Sequence, residues 1–244
     1  MSHFILFLFV LALTSVSTAD VEPAGFDERE SVILLHGLGR TPRSMEPLAE
    51  YLSGRGFRVF NLGYPSTTGT PDQLVALLRE EVDECCADSP VVHFVGHSLG
   101  GILVRGYLAE DPRSNVGRLV MLGPPNRGSE LVDRLSDSHL FRWALGPTAQ
   151  QLGTSSESLP NQLPEPSIEF GVIAGTETVN PIGSVVLPEA DDGMVSVART
   201  KLDGMTDFLL VPSSHAFIMR SPEVSRQVDH FLRLGRFDHL QRGE

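Results

Sequence analysis

Six short apolar runs alternate with longer segments of helical pattern between residues 31 and 234. The runs are rich in Val, Ile, Leu and Phe, and they cover residues 31–36, 58–64, 91–97, 118–123, 168–175 and 207–212. Near-continuous apolar runs of this length are typical of parallel strands that are buried on both faces. The candidate helices cover residues 42–53, 71–86, 99–110, 129–145 and 222–234. The alternation predicts an α/β protein with a minimal, mostly parallel, doubly wound sheet of six strands.

The second candidate helix has a well-defined start. Thr70 can cap it, Pro71 occupies its first helical position, and Gln73 completes a capping-box pattern. We therefore expect this helix to begin at residue 71.

One long segment interrupts the alternation. Residues 146–167 are rich in Pro, Ser, Gly and Gln and show no apolar period, which predicts a loop. Loops of this length in compact domains are usually lids, binding loops or disordered segments. Residues 126–167 are therefore a candidate cap or lid over a site, with a surface helix followed by a linker as the alternative.

The first 19 residues form a segment of a different kind. An apolar run, FILFLFVLALTSV, is shorter than the roughly 20 residues that a spanning helix needs, and small residues up to Ala19 follow it. This pattern predicts a secretory signal peptide cut near Ala19, and hence export to the periplasm or out of the cell. The segment lacks an initial Lys or Arg, so an uncleaved membrane anchor is the alternative. Residues 20–244 are predicted to form a single domain.

Composition excludes some classes of function. The 244 residues carry 19 Lys and Arg against 31 Asp and Glu, for a formal net charge of −12. This charge argues against a nucleic-acid partner and against electrostatic docking on an anionic membrane. The two cysteines, Cys85 and Cys86, are neighbours, and a bridge between them would be strained, so we expect free thiols.

The strongest chemical signal is the stretch from Gly96 to Gly100, which reads G-x-S-x-G around Ser98. This motif forms a nucleophile elbow only where a strand precedes it and a helix follows, and both are predicted here. The two glycines allow the strand and the helix to approach closely. The position of Ser98 at a helix N-terminus favours developing negative charge. Ser98 is therefore the candidate nucleophile.

A serine nucleophile needs a base, and the base needs an acid that orients it. Of the eight histidines, His215 follows the last strand, at the sheet edge where catalytic groups collect. Asp192, which precedes a glycine after the fifth strand, is the favoured acid, with Asp191 and Glu177 as alternatives. The order Ser, Asp, His along the chain is that of α/β-hydrolases.

An oxyanion hole would complete this machinery. One backbone N–H is expected from the residue after the nucleophile, Leu99. The loop after the first strand should supply the second, from Leu38 or, failing that, Gly39.

Five motifs together resemble the bacterial lipase and esterase branch of the α/β-hydrolase family. They are LLHGLGRTP, GHSLGG, GPPNRGSELVD, DDGMVSV and PSSHAFIM, and the resemblance runs from about residue 31 to 235. It implies an α/β-hydrolase fold without the family's usual first two strands, and it matches His36-Gly37-Leu38 to the oxyanion segment. It also implies a serine hydrolase that cleaves carboxylic esters through an acyl-enzyme, without a cofactor. Many lipases of this type bind calcium, but no ligand set matches here, so no metal is predicted.

The expected partner is a small-molecule or lipid ester, with transient contact to a lipid interface. His36, Phe141 and Trp143 are candidate substrate-binding residues. The sequence leaves two other functions open: an acyltransferase with the same triad, and a non-catalytic binding protein on a hydrolase scaffold.

Overall fold

The computed structural model describes residues 28–110, 113–179, 187 and 190–240, and between residues 139 and 144 it describes the backbone alone. The predicted signal peptide, residues 1–19, lies outside the described residues. Within the described ranges, no helix combines the length and apolar composition needed to span a bilayer.

Six strands form one parallel sheet in the order β2-β1-β3-β4-β5-β6. Their bounds are β1 Ser31–Leu35, β2 Arg58–Leu62, β3 Val92–His97, β4 Val116–Leu122, β5 Phe170–Gly175 and β6 Asp207–Val211. Each strand lies within two residues of the apolar run that predicted it, at both ends. The prediction of an α/β fold with a six-stranded parallel sheet is therefore confirmed.

Helices cover both faces of this sheet. Their bounds are α1 Glu46–Gly54, α2 Pro71–Cys85, α3 Leu99–Ala109, α4 Glu130–Leu135, α5 His139–Gln150, α6 Leu159–Gln162, α7 Val197–Thr200 and α8 Pro222–Leu234. The predicted capping box is present at α2, where the Thr70 hydroxyl accepts from the Gln73 N–H and the Gln73 side chain accepts from the Thr70 N–H. Both cysteines near the end of α2 are free, as expected.

The core consists of two apolar layers, because successive side chains of a strand point to opposite faces of the sheet. Ile33 and Leu35 of β1 belong to the layer that contains α2 and α3. Val32 and Leu34 belong to the opposite layer, which contains α1 and α8. All four side chains are at most 2% exposed, so β1 is a fully buried central strand.

The segment between β4 and β5 differs from its prediction. The single helix expected over 129–145 is divided into α4 and α5, and α5 continues to Gln150. At Gly146, where φ is +75°, α5 is kinked, and Pro147 begins the turn that follows. The expectation of a loop over 146–167 was wrong in part, because this final turn and α6 are helical. Ala149 and Leu152 are buried, so packing orders a stretch that has no sequence period.

The strand order creates a crevice at one edge of the sheet. From β1 the chain moves outward to β2 and then returns to place β3 on the other side of β1. In open α/β sheets ligands bind at such a switch point, beyond the carboxyl ends of the strands. The loops after β1 and β3 meet there, and those after β5 and β6 leave the sheet at the same edge.

Candidate active site

Ser98 lies at a strained turn between β3 and α3. Its φ of 52° and ψ of −119° make it the one non-glycine residue with positive φ in the part of the chain that the structure describes. Such a conformation costs of order 1–3 kcal/mol and persists only where the surroundings impose it. A Cβ on Gly96 would lie 2.5 Å from the Cα of Gly101, and a Cβ on Gly100 would lie 2.5 Å from the carbonyl oxygen of Leu35. The two glycines therefore permit the close approach expected from the sequence.

A chain of hydrogen bonds connects Ser98, His215 and Asp192. The Ser98 Oγ lies 3.0 Å from Nε2 of His215, and Nδ1 of His215 lies 2.7 Å from Oδ2 of Asp192. A carboxylate can only accept, so the ring proton resides on Nδ1 and Nε2 accepts from the serine hydroxyl. Residues that are far apart in sequence thus form a relay that can withdraw a proton from the hydroxyl.

The carboxylate of Asp192 is held on both of its oxygens. Oδ1 accepts from the backbone N–H of Met194 at 3.0 Å and of Val195 at 2.9 Å, while Oδ2 faces the imidazole. The backbone N–H of His215 also donates to the carbonyl oxygen of Asp192 at 2.8 Å. The side chain of Asp192 is 1% exposed, so water does not compete for these bonds.

The two alternative acids lie elsewhere. The Asp191 carboxylate accepts from the N–H of Gly193 at 2.6 Å, and Glu177 is exposed. Of the three candidates, the structure brings Asp192 to the ring of His215.

Gly123, at the end of β4, is part of this site and was missed in the sequence. Its φ is +54°, and a Cβ there would lie 2.8 Å from Oδ2 of Asp192 and 3.2 Å from Nδ1 of His215. A side chain at this position would therefore press on the hydrogen bond between these two residues. The GPPNRG stretch was noted only as part of a resemblance, and a positive φ is not visible in a single sequence.

His97 is a second residue whose contribution the sequence did not reveal. Its Nε2 donates to the backbone carbonyl of His215 at 3.0 Å, and the two imidazole rings lie 4.8 Å apart. Because Nε2 is the donor, Nδ1 is unprotonated; it is buried without a hydrogen-bond partner, 2.7 Å from where a Cβ on Gly37 would lie. Burial, together with the charge of a protonated His215, holds the pKa of His97 well below its ordinary value. His97 is thus a neutral ring that packs between the loops after β1 and β6.

The two backbone N–H groups predicted for the oxyanion hole belong to Leu99, which follows Ser98 in the chain, and to Leu38, which lines the same cavity as Ser98. Leu99 is the first residue of α3, so its N–H has no partner within the helix. The N–H of Leu38 donates to no described residue, whereas that of Gly39 donates to the Ser66 hydroxyl at 3.1 Å. Of the two predicted sources on this loop, Leu38 is the one with a free donor.

Of the other predicted binding residues, the structure describes only the side chain of His36. His36 is fully buried and stacked on Tyr64 with the ring centroids 4.2 Å apart, and it does not line the cavity at Ser98. Burial also lowers its pKa. The side chains of Phe141 and Trp143 lie outside the described residues.

A cavity of about 240 Å³ opens above Ser98. Its apolar wall consists of Leu38, Pro125, Val132, Leu145, Leu152, Val179, Met194, Val195 and Ala216. Three of these, Val132, Leu145 and Leu152, belong to residues 126–167, the segment that the sequence suggested as a cap. The polar groups of the wall come from Ser98, His215 and Asp192 and from Arg40, His97 and Ser129. Among the residues that the structure describes, no group of three or more His, Cys, Asp or Glu could hold a metal.

A parallel α/β sheet with a strained serine after a central strand, and a histidine and an aspartate on later loops, is the arrangement of the α/β-hydrolase fold. The family model described as the alpha/beta hydrolase family matches residues 32–233. The chain therefore belongs to the alpha/beta hydrolase family.

Solved structures similar to this chain include bacterial lipases and esterases. The mature lipase BlEst2 of Bacillus licheniformis has a TM-score of 0.67 at 20% identity, and the match covers 91% of this chain and 96% of that one. Phospholipase PlaB of Legionella pneumophila has a TM-score of 0.65 at 20% identity, covering 82% of this chain and 56% of PlaB. The metagenomic carboxyl esterase MGS0156 has a TM-score of 0.62 at 17% identity, covering 85% and 71% of the two chains. A comparison with curated proteins found no match.

Proposed function

We propose that this protein is a serine hydrolase that cleaves carboxylic esters, with Ser98 as nucleophile, His215 as general base and Asp192 as the acid that orients it. The observation that carries the proposal is the hydrogen-bonded chain of these side chains, whose serine opens into an apolar cavity. An apolar wall suits the acyl group of an ester, and cavities of this kind are the usual binding sites for small molecules.

In the first half of the reaction, Ser98 Oγ attacks the ester carbonyl carbon while Nε2 of His215 takes the hydroxyl proton. The imidazolium that forms is stabilised by the Asp192 carboxylate 2.7 Å away. The tetrahedral intermediate then expels the alcohol, which leaves with the proton from Nε2. The acyl group remains on Ser98 as an ester.

The negative charge on the intermediate needs donors that are in place before the reaction. The N–H groups of Leu38 and Leu99 donate to no described residue, and we assign them to the oxyanion. The N-terminal position of Leu99 in α3 adds a favourable helix dipole. Losing one such donor typically costs about 2.7–4 kcal/mol of transition-state stabilisation.

The second half repeats the same chemistry with water. His215 takes a proton from a water molecule, whose oxygen attacks the acyl carbon, and then returns the proton to Ser98 Oγ as the acid leaves. The lipase and esterase names of BlEst2 and MGS0156 agree with a carboxylic ester as the substrate.

Two variants test the assignment with 4-nitrophenyl acyl esters as substrates. We expect Ser98→Ala and His215→Gln to reduce kcat roughly 1,000-fold or more, because these residues act as one unit. A fluorophosphonate probe should label Ser98 in the wild type and leave Ser98→Ala unlabelled.

Matched controls are Ser53→Ala and His239→Gln, two exposed positions of the same residue types. Both should retain wild-type turnover, and circular dichroism should show all four variants folded. Undiminished turnover in folded Ser98→Ala would refute the proposed nucleophile.

A further inference from the structure

One charged group in the cavity wall has no partner among the residues that the structure describes. Of the polar side chains that line the cavity, those of Ser98, His215 and Asp192 bond to one another, and His97 donates to the carbonyl of His215. Ser129 donates its hydroxyl to the carbonyl of Met194 at 2.7 Å. The guanidinium of Arg40 makes no hydrogen bond or ion pair with any described residue. It is the one cationic side chain in the described wall, and it is partly buried.

The backbone fixes Arg40 close to the proposed oxyanion donor. Its N–H donates to the carbonyl of Gly37 at 3.2 Å and closes a turn, and the next N–H back, that of Gly39, is held by Ser66. Only Gly39 separates Arg40 from Leu38, so their Cα atoms lie no more than about 7.6 Å apart. Both residues also line the cavity above Ser98, so a substrate bound in this cavity can contact both of them.

The surroundings make this cation a binding group for an anion. The one carboxylate in the described wall, Asp192, is already occupied by His215, Met194 and Val195. The mainly apolar wall strengthens an ion pair relative to open water. The guanidinium presents a planar set of donors that matches carboxylate and phosphate oxygens. Because it has no partner among the described residues, its donors are free to pair with an anion bound in the cavity.

We propose that Arg40 binds an anionic group, a carboxylate or a phosphate, on the ester substrate while Ser98 attacks the ester carbonyl. This inference rests on the proposed ester hydrolysis and narrows its substrate class to acidic esters. The formal net charge of −12 would otherwise disfavour such substrates, so a local cation is the feature that admits them.

Matched pairs of substrates test the inference. The carboxylate pair is mono-4-nitrophenyl adipate and its neutral methyl ester, and the phosphate pair is dihexanoyl phosphatidate and dihexanoyl glycerol. For each pair the measured quantity is the ratio of kcat/KM for the anionic substrate to that for the neutral one. We expect a ratio above one in at least one pair, and the pair that shows it identifies the anion.

Arg40→Met keeps most of the side-chain length and removes the charge. It should lower the ratio roughly 10- to 100-fold, the usual worth of a charge-assisted hydrogen bond. Arg40→Lys should restore part of the loss, and added salt should reduce the ratio of the wild type. The control is Arg43→Met, an exposed arginine three residues away that does not line the cavity and should leave the ratio unchanged.

The outcomes separate the inference from the proposed function. Hydrolysis of the neutral esters with ratios at or below one, or with ratios that Arg40→Met does not change, overturns the role of Arg40 and leaves the ester hydrolase intact. Failure to hydrolyse any of the four esters overturns both.

Discussion

The arrangement of side chains around Ser98 depends on a few hydrogen bonds and on glycines that leave room for them. His215 makes three hydrogen bonds with two parts of the chain: its ring bonds to Asp192 through Nδ1 and to Ser98 through Nε2, and its backbone carbonyl accepts from His97. Gly123 leaves room for the first of these bonds. A proton relay needs its donor and acceptor within hydrogen-bond distance, so in the proposed mechanism each of these bonds would affect the transfer of one proton.

His97 is a positioning residue in this arrangement, because its Nε2–H donates to the backbone carbonyl of His215 and not to Ser98. His97→Phe would keep a ring and remove the donor, leaving the His215 carbonyl unpaired. We expect kcat to fall about 10-fold with KM unchanged, in line with the loss of roughly one hydrogen bond. His97→Gln, whose amide can reach the position of Nε2, should recover most of the rate.

Steady-state kinetics with a 4-nitrophenyl ester measure this split, and the pH dependence of kcat adds a second readout. Because the pKa of His97 is held low, its removal should leave the acid limb of the pH profile in place. Equal kinetics in the wild type and in folded His97→Phe would contradict the positioning role.

At the scale of helices and strands, the sequence predicted the elements whose formation depends mainly on residues close together in the chain. The strands were predictable because fully buried parallel strands need continuous apolar residues. The start of α2 was predictable because Thr70 and Gln73 form the two hydrogen bonds of a capping box with each other. The candidate residues Ser98, Asp192 and His215 could be placed because parallel topology brings strand ends to one edge. Arg40 and His97 could not be assigned, since their contacts form only in three dimensions. The helical turns between 146 and 162 were missed because they depend on tertiary packing.

Arg105 shows how the segment between β4 and β5 is held in place. It projects from α3, is 2% exposed, and donates to the carbonyls of Asn126, Pro160, Leu163 and Pro164 at 2.8–3.4 Å. Burial lowers its pKa to about 10, so the guanidinium stays charged at neutral pH. The helix that follows the elbow is thus fastened to the end of the segment that covers the cavity.

Replacing this guanidinium should loosen the segment. We expect Arg105→Met to destabilise the protein by about 3 kcal/mol, because several buried carbonyls would lose their donor. Urea unfolding measures the change in free energy, and limited proteolysis should cut faster within residues 155–166. Arg134→Met, an exposed arginine in α4, is the control and should alter neither. Wild-type stability in Arg105→Met would show that the segment is held by other contacts.

Among the residues that the structure describes, three buried histidines have lowered pKa values and are uncharged at neutral pH. Burial lowers the pKa values of His36, His93 and His97, and each of these side chains is at most 2% exposed. In the unfolded chain a histidine titrates near pH 6.5. Below this pH the unfolded state therefore binds protons that the folded state does not, and linkage makes the folded state less stable as the pH falls.

The resulting prediction concerns the free energy of unfolding between pH 7.5 and pH 5.5, a range in which ordinary carboxylates, with pKa values near 4, stay ionised. Below pH 6.5 each buried neutral histidine should contribute a loss of up to about 1.4 kcal/mol per pH unit, until the pH reaches its folded-state pKa. Urea unfolding at several pH values measures the slope. His97→Gln should have a shallower slope than the wild type, whereas the exposed substitution Arg43→Met should match it. Identical slopes in the wild type and in His97→Gln would mean that His97 gains its proton in the folded protein as readily as in the unfolded chain. This result would contradict the assignment of His97 as a neutral ring packed between the two loops.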